Sequence, residues 1–175
     1  MNILHQFKHI TSFVFEIEGV LTPAQVLVLE NGELLRLIDI KDSYALRLAI
    51  KSDYRVVFVS SGKPEGIATW LNKSGISWVF LELADKKKKI EEWSREQGVN
   101  WREVLFMGYD LPDRALLKMA GMSCSPIDAV EEIKQISKYV PPFKGGAGCI
   151  RDVIEKVMKL NGTWISTSDE FGINL

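Results

Sequence analysis

The chain has 175 residues, 46% of them hydrophobic, and a formal net charge of -1. That is enough for one compact domain with a sizeable core, and it excludes a bulk electrostatic preference for nucleic acid. Two cysteines, Cys124 and Cys149, are too few for a disulfide framework and fit a reducing cytoplasm; nothing before Thr11 is long and apolar enough for a signal peptide or membrane anchor.

The first expected element is a buried parallel strand at Phe13, Val14 and Phe15, which runs into two acids one residue apart, Glu16 and Glu18, and then Gly19. Three consecutive apolar residues suit a strand covered on both faces, and the glycine permits a sharp exit. In open α/β sheets, ligands bind at that carboxyl end. Two apolar runs follow, 25–29 and 34–38, joined by Glu30-Asn31-Gly32-Glu33. An Asn-Gly pair between such runs is a hairpin signal. Apolar residues on both faces of the hairpin predict that it packs against another subunit.

Asp42 is expected to cap a helix over 43–51. A second buried strand, 55–59, ends in Ser60-Ser61-Gly62-Lys63-Pro64 and leads into a helix over 64–74. Hydroxyls and backbone N–H groups at a helix start make an anion site, although serine and glycine also fill ordinary strand-to-helix turns. A third strand is expected at 78–81. Asp85 then opens a helix to about residue 97, with Ile90 and Trp93 facing the core and most of Lys86, Lys87, Lys88 and Lys89 on a solvated face. Asn100 and Glu103 have capping-box spacing before a fourth strand at 104–107, which ends in the acid-bearing loop Gly108-Tyr109-Asp110-Leu111-Pro112-Asp113.

A short segment at 122–125, a helix over 128–137 and a strand at 139–140 come next. The glycine-rich loop Lys144-Gly145-Gly146-Ala147-Gly148 precedes a helix over 149–160 that contains Arg151. This loop suits either a phosphate or a plain turn. The polar tail has Trp164 and Phe171 as candidate anchors, and His5 and His9 read as surface residues. Alternation of strands and helices predicts an α/β doubly wound parallel sheet: one domain over 1–164, with a flap at about 25–38 and a tail at 165–175.

Together the strand ends bring acids able to hold a divalent cation (Glu16, Glu18, Asp110, Asp113), a hydroxyl (Ser60 or Ser61) and a lysine, the parts of a phosphoryl-transfer site. On these motifs, over roughly residues 8–164, the chain resembles the haloacid dehalogenase superfamily, in its cap-less 3-deoxy-D-manno-octulosonate 8-phosphate phosphatase family. That family carries Asp-x-Asp-Gly-Val-Leu-Thr where this chain has Glu16 to Thr22; its hydroxyl motif falls at Ser60 and its Asp-Lys motif at Asp85-Lys86. Its Gly-Asp-Asp loop falls at Gly108, Tyr109 and Asp110 with Asp113 as final acid, and its Gly-Gly-x-Gly-and-arginine segment at Gly145, Gly146, Gly148 and Arg151.

The resemblance implies a Rossmann-like fold with no large cap and a cytoplasmic phosphomonoester hydrolase acting on a phosphorylated sugar acid. It implies Mg2+ held by Glu16, Glu18, Asp110 and Asp113, with Glu16, Glu18 and Lys86 in the catalytic positions. Ser60, Ser61, Gly62, Lys86 and Arg151 then bind phosphate or substrate, and a homotetramer forms through the hairpin, with no nucleic-acid or membrane partner. The departures are a glutamate where the family has its aspartate nucleophile, another in the general acid and base position, and Tyr109 where it has a metal-binding aspartate. An extra methylene moves a carboxylate by roughly 1 Å, a misplacement that can cost about 100-fold in rate, and a neutral phenol is a poor ligand for a hard cation. The expectation is hydrolysis weakened or lost on a retained phosphate-binding scaffold. The alternatives are an active phosphatase with Glu16 as nucleophile and a non-catalytic assembly or regulatory subunit. A two-component receiver domain fits less well, because its phosphoacceptor belongs on a later central strand.

Overall fold

The computed structural model describes residues 3–164; Phe171 and the rest of the 165–175 tail lie outside them. A five-stranded parallel sheet forms the centre. Its strands are β1 (Ser12–Glu16), β4 (Arg55–Val59), β5 (Trp78–Phe80), β6 (Val104–Met107) and β7 (Met122–Cys124), in the order β5-β4-β1-β6-β7. β1 is central, with Phe15 beside Phe58 on one side and Met107 on the other, and every residue of it is buried. The chain leaves β1 toward β4 and β5, then returns to the far side for β6 and β7. The order therefore reverses between β1 and β6, the crevice where such sheets bind ligands.

Helices cover both faces. α1 (Ile3–Lys8), α2 (Ile40–Lys51), α3 (Glu65–Lys73) and α7 (Cys149–Leu160) pack on one, through Phe7, Leu46, Leu71 and Val153. α4 (Lys86–Glu96), α5 (Arg114–Met119) and α6 (Glu131–Ile136) pack on the other, through Trp93, Leu116 and Ile133. Among the described residues no helix is long and apolar enough to cross a membrane.

The hairpin is present but short: β2 (Leu27–Val28) and β3 (Leu34–Leu35) pair as two residues each and stand apart from the main sheet. Val26, Leu27, Val28, Leu34, Leu35, Leu37 and Ile40 are all exposed, between 41% and 73%.

Several local expectations are corrected. Asp39, not Asp42, caps α2, accepting from Lys41 N at 2.7 Å. Asp42 is buried and instead accepts from Gly148 N at 3.2 Å and Arg151 N at 2.6 Å. Gly148 has no side chain to cap α7, so Asp42 satisfies two N–H groups that the helix start leaves open. The helix expected over 128–137 shrinks to Glu131–Ile136. In place of a strand at 139–140 there is an isolated bridge between Tyr139 and Cys124. α1 has no counterpart in the sequence reading, although Ile3, Phe7 and Ile10 carry a helical spacing that would have revealed it.

Candidate active site

The carboxyl ends of β1, β4 and β6 surround a cavity of about 430 Å³, lined by Glu16, Glu18, Ser60, Lys86, Tyr109 and Asp113 among others. Lys86 reaches it because Lys86, Ile90 and Trp93 form one buried stripe of α4, while Lys87 and Lys88 are exposed. Asp85 fixes the start of that helix, accepting from Lys88 N at 3.0 Å. The Lys86 ammonium bridges two acids, bonding Glu16 Oε2 and lying 2.5 Å from Asp113 Oδ1.

The remaining oxygens of these acids are engaged by backbone. Glu16 Oε1 accepts from Ile17 N at 3.2 Å. Asp113 Oδ2 accepts from Tyr109 N at 2.8 Å and Asp110 N at 3.2 Å, which pins the loop after β6. Burial first, and then the Asp113 charge, raise the Glu16 carboxyl to a pKa of about 8 against the pull of Lys86. Burial also works against the charge on Lys86, but Asp113 and Glu16 together hold its pKa above the ordinary lysine value.

Glu18 is held from two sides. Ser60 donates its hydroxyl to Oε2 at 2.7 Å while accepting from Gly62 N at 2.9 Å. On the other side, Arg36 Nη2 donates to Oε1 at 3.5 Å. Arg36 comes from the flap, and sequence reasoning missed it: nothing in the local pattern marks a residue eighteen positions beyond its partner. Ser60 is fully buried, whereas Ser61 is exposed at the cavity wall. Asp110 is exposed and caps the turn at 111–113, accepting from Leu111 N at 2.7 Å. Burial, with Asp128 and Asp110 nearby, raises the Tyr109 phenol above its ordinary pKa, so it is neutral at pH 7.

Two motifs are placed differently from the rest. Gly145 N donates to Asp128 Oδ1 at 2.9 Å, and Gly146 N to Val20 O at 2.8 Å. A Cβ on Gly145 would collide with the Gly19 carbonyl. The glycine-rich loop thus buttresses the loop after β1, and the N–H groups of its three glycines are already used. Arg151 lies away from the cavity: its Nε donates to Glu155 at 2.9 Å and its guanidinium sits 4.7 Å from the Trp164 ring.

Comparison with known proteins agrees with this architecture. No protein-family model matches the chain. The 3-deoxy-D-manno-octulosonate 8-phosphate phosphatase of Escherichia coli K12 is 22% identical over 161 residues, covering 92% of this chain and 86% of that protein. The solved structure of the Yersinia pestis 3-deoxy-D-manno-octulosonate 8-phosphate phosphatase superposes with a TM-score of 0.89 at 22% identity, covering 93% of this chain and 88% of that one. The Moraxella catarrhalis phosphatase, solved in complex with magnesium ion, phosphate ion and KDO, gives 0.88 at 22% identity with 93% of each chain covered. In the order of its strands and in its strand-end motifs the chain is similar to the 3-deoxy-D-manno-octulosonate 8-phosphate phosphatases, and it shares the Rossmann-like α/β fold of their solved structures.

Proposed function

We propose that this protein binds phosphorylated sugar acids in the cavity beside β1 and that its phosphomonoester hydrolysis is weakened or lost. The observation that carries this reading is the donor set around Lys86. A magnesium ion of the kind in the Moraxella neighbour is held by one or two carboxylates together with waters and phosphate oxygens, and a cation already seated between those carboxylates competes with it. Here both oxygens of Glu16, Glu18 and Asp113 are engaged. Tyr109 brings a phenol where the family has an acid. Among the described residues no group of three or more His, Cys, Asp or Glu is placed to hold a metal ion. With the Lys86 ammonium seated between Glu16 and Asp113, the side chains as arranged do not fit magnesium.

What remains is a holding site. An ammonium has three N–H donors; Lys86 gives two to Glu16 and Asp113 and has one for a ligand oxygen. The Ser61 hydroxyl at the wall is a further donor. Four acids (Glu16, Glu18, Asp110, Asp113) against Lys86 and Arg36 leave no surplus positive charge. Affinity for phosphate is therefore expected near the millimolar range, roughly -4 kcal/mol.

The test compares phosphate release from 3-deoxy-D-manno-octulosonate 8-phosphate, with magnesium, by the natural protein and by the Glu16→Asp, Glu18→Asp, Tyr109→Asp triple variant. A silent natural protein and an active variant support the reading. Efficient turnover by the natural protein overturns it and makes Glu16 the nucleophile to trap. Calorimetry showing no binding of phosphate or sugar acid phosphates at millimolar concentration removes the binding half. A second part of the proposal concerns assembly: the exposed apolar flap supports a homotetramer joined through it.

A further inference from the structure

Arg36 follows β3 directly on the flap, with its side chain 16% exposed. A guanidinium carries five N–H donors. Among the described residues this one makes a single hydrogen bond, the 3.5 Å contact from Nη2 to Glu18, at the long limit for such a bond. Its Nε–H is buried and meets no acceptor. Nε and Nη2 form one edge of the guanidinium, the edge that takes two oxygens of a planar anion side by side. A largely desolvated cation with that edge almost unused is unfavourable, and an oxyanion supplied by a ligand would satisfy it.

The position of Arg36 says which part of a ligand that would be. Glu18 turns Oε2 toward Ser60 and Oε1 toward Arg36, so the two donors stand on opposite sides of one carboxylate. Ser60 and Lys86 line the cavity on the far side of Glu18, where the phosphate is proposed to sit between Lys86 and Ser61. Arg36 stands on the flap side of Glu18, just outside the lining of the cavity, so its Nε–Nη2 edge meets the rest of a ligand when the flap shifts. We propose that Arg36 binds the carboxylate of a sugar acid phosphate through Nε and Nη2, exchanging or sharing its long contact with Glu18 when the ligand enters. This rests on the phosphate-site reading and adds to it a residue that selects acidic over neutral sugar phosphates.

Isothermal calorimetry on the full chain and its Arg36→Ala and Arg36→Lys variants tests this. The probes are inorganic phosphate, glucose 6-phosphate, free 3-deoxy-D-manno-octulosonate and its 8-phosphate. Arg36→Ala is expected to weaken the two carboxylate-bearing probes by about 10- to 100-fold and leave the other two unchanged, the range for a charge-assisted pair of hydrogen bonds. Arg36→Lys is expected to recover only part of that loss, because an ammonium has no two-donor edge. Equal weakening of inorganic phosphate would make Arg36 a phosphate ligand and overturn the assignment. So would no change with any probe, or a changed sedimentation coefficient accompanied by loss of every probe. If the natural protein binds none of the four, the phosphate-site reading falls and this one with it; if it binds them and Arg36→Ala changes nothing, only this one falls.

Discussion

The Tyr109 ring packs directly against Gly19, leaving no room for a Cβ on the glycine, whose φ is +85°. The loop after β1 and the loop after β6 are therefore locked together across the crevice by the phenol ring. Replacing Tyr109 removes this packing as well as the phenol, which is why Tyr109→Asp alone is a weaker experiment than the triple replacement.

Gly19→Ala is expected to destabilise the protein by about 2–4 kcal/mol, combining left-handed backbone strain with overpacking of the phenol. In Gly19→Ala with Tyr109→Ala, the overpacking disappears and only the backbone part remains, so the double variant should lose less than the two single losses added together. Urea unfolding of the four proteins gives the comparison, and strict additivity would show that the ring simply moves aside.

Lys86→Met should cost about 3–5 kcal/mol at pH 8, the range for removing one partner from a buried ion pair. Glu16 and Asp113 would then face each other without a cation between them. Glu16 takes up a proton readily, since its pKa already stands at about 8, so the penalty should shrink by pH 5. Unfolding midpoints that differ equally at the two pH values would contradict this account.

Asp42 supplies a pH dependence away from the cavity. Burial raises its pKa from 3.8 to about 6, against the hydrogen bonds from Arg151 and Gly148. A carboxyl whose pKa is higher in the folded state contributes stability that is fully present below pH 3.8 and is lost as the pH rises through about 6. The loss is on the order of 3 kcal/mol for a shift of about two units. Asp42→Asn removes this titration. The stability of the natural protein relative to the variant should therefore fall by about that amount between pH 4 and pH 7. Glu16 titrates in both proteins, so the difference isolates Asp42; parallel curves would refute it.

The strands and acids were legible in the sequence because a strand buried on both faces must be a nearly unbroken apolar run, and the acids interrupt it. Lys86 was legible in principle, sharing a helical stripe with Ile90 and Trp93. Asp42 was not: Asp39 and Asp42 are both acceptable caps, and the choice depends on α7, more than a hundred residues later, needing an acceptor at its start. Nor was Arg36, whose meaning depends on how far the flap folds back. The glycine-rich loop and Arg151 show the converse. Their residue types suit phosphate, but packing against Gly19 and pairing with Glu155 give them other partners.

The flap carries the prediction about assembly. Leu27, Val28, Leu34 and Leu35 are between 47% and 62% exposed, and a two-residue ladder gives the hairpin little stability of its own. Burying these side chains against a neighbour would hide apolar surface, at roughly 25 cal/mol per Å², and brace the segment that presents Arg36 to Glu18. Sedimentation at micromolar concentration should find an oligomer, with a tetramer expected. Leu27→Ser with Leu35→Ser should shift it toward monomer without lowering the unfolding midpoint measured at high dilution, because neither side chain belongs to the core. A natural protein that sediments as a monomer would leave the flap an exposed apolar ribbon with no subunit to cover it, and would remove the tetramer from the proposal.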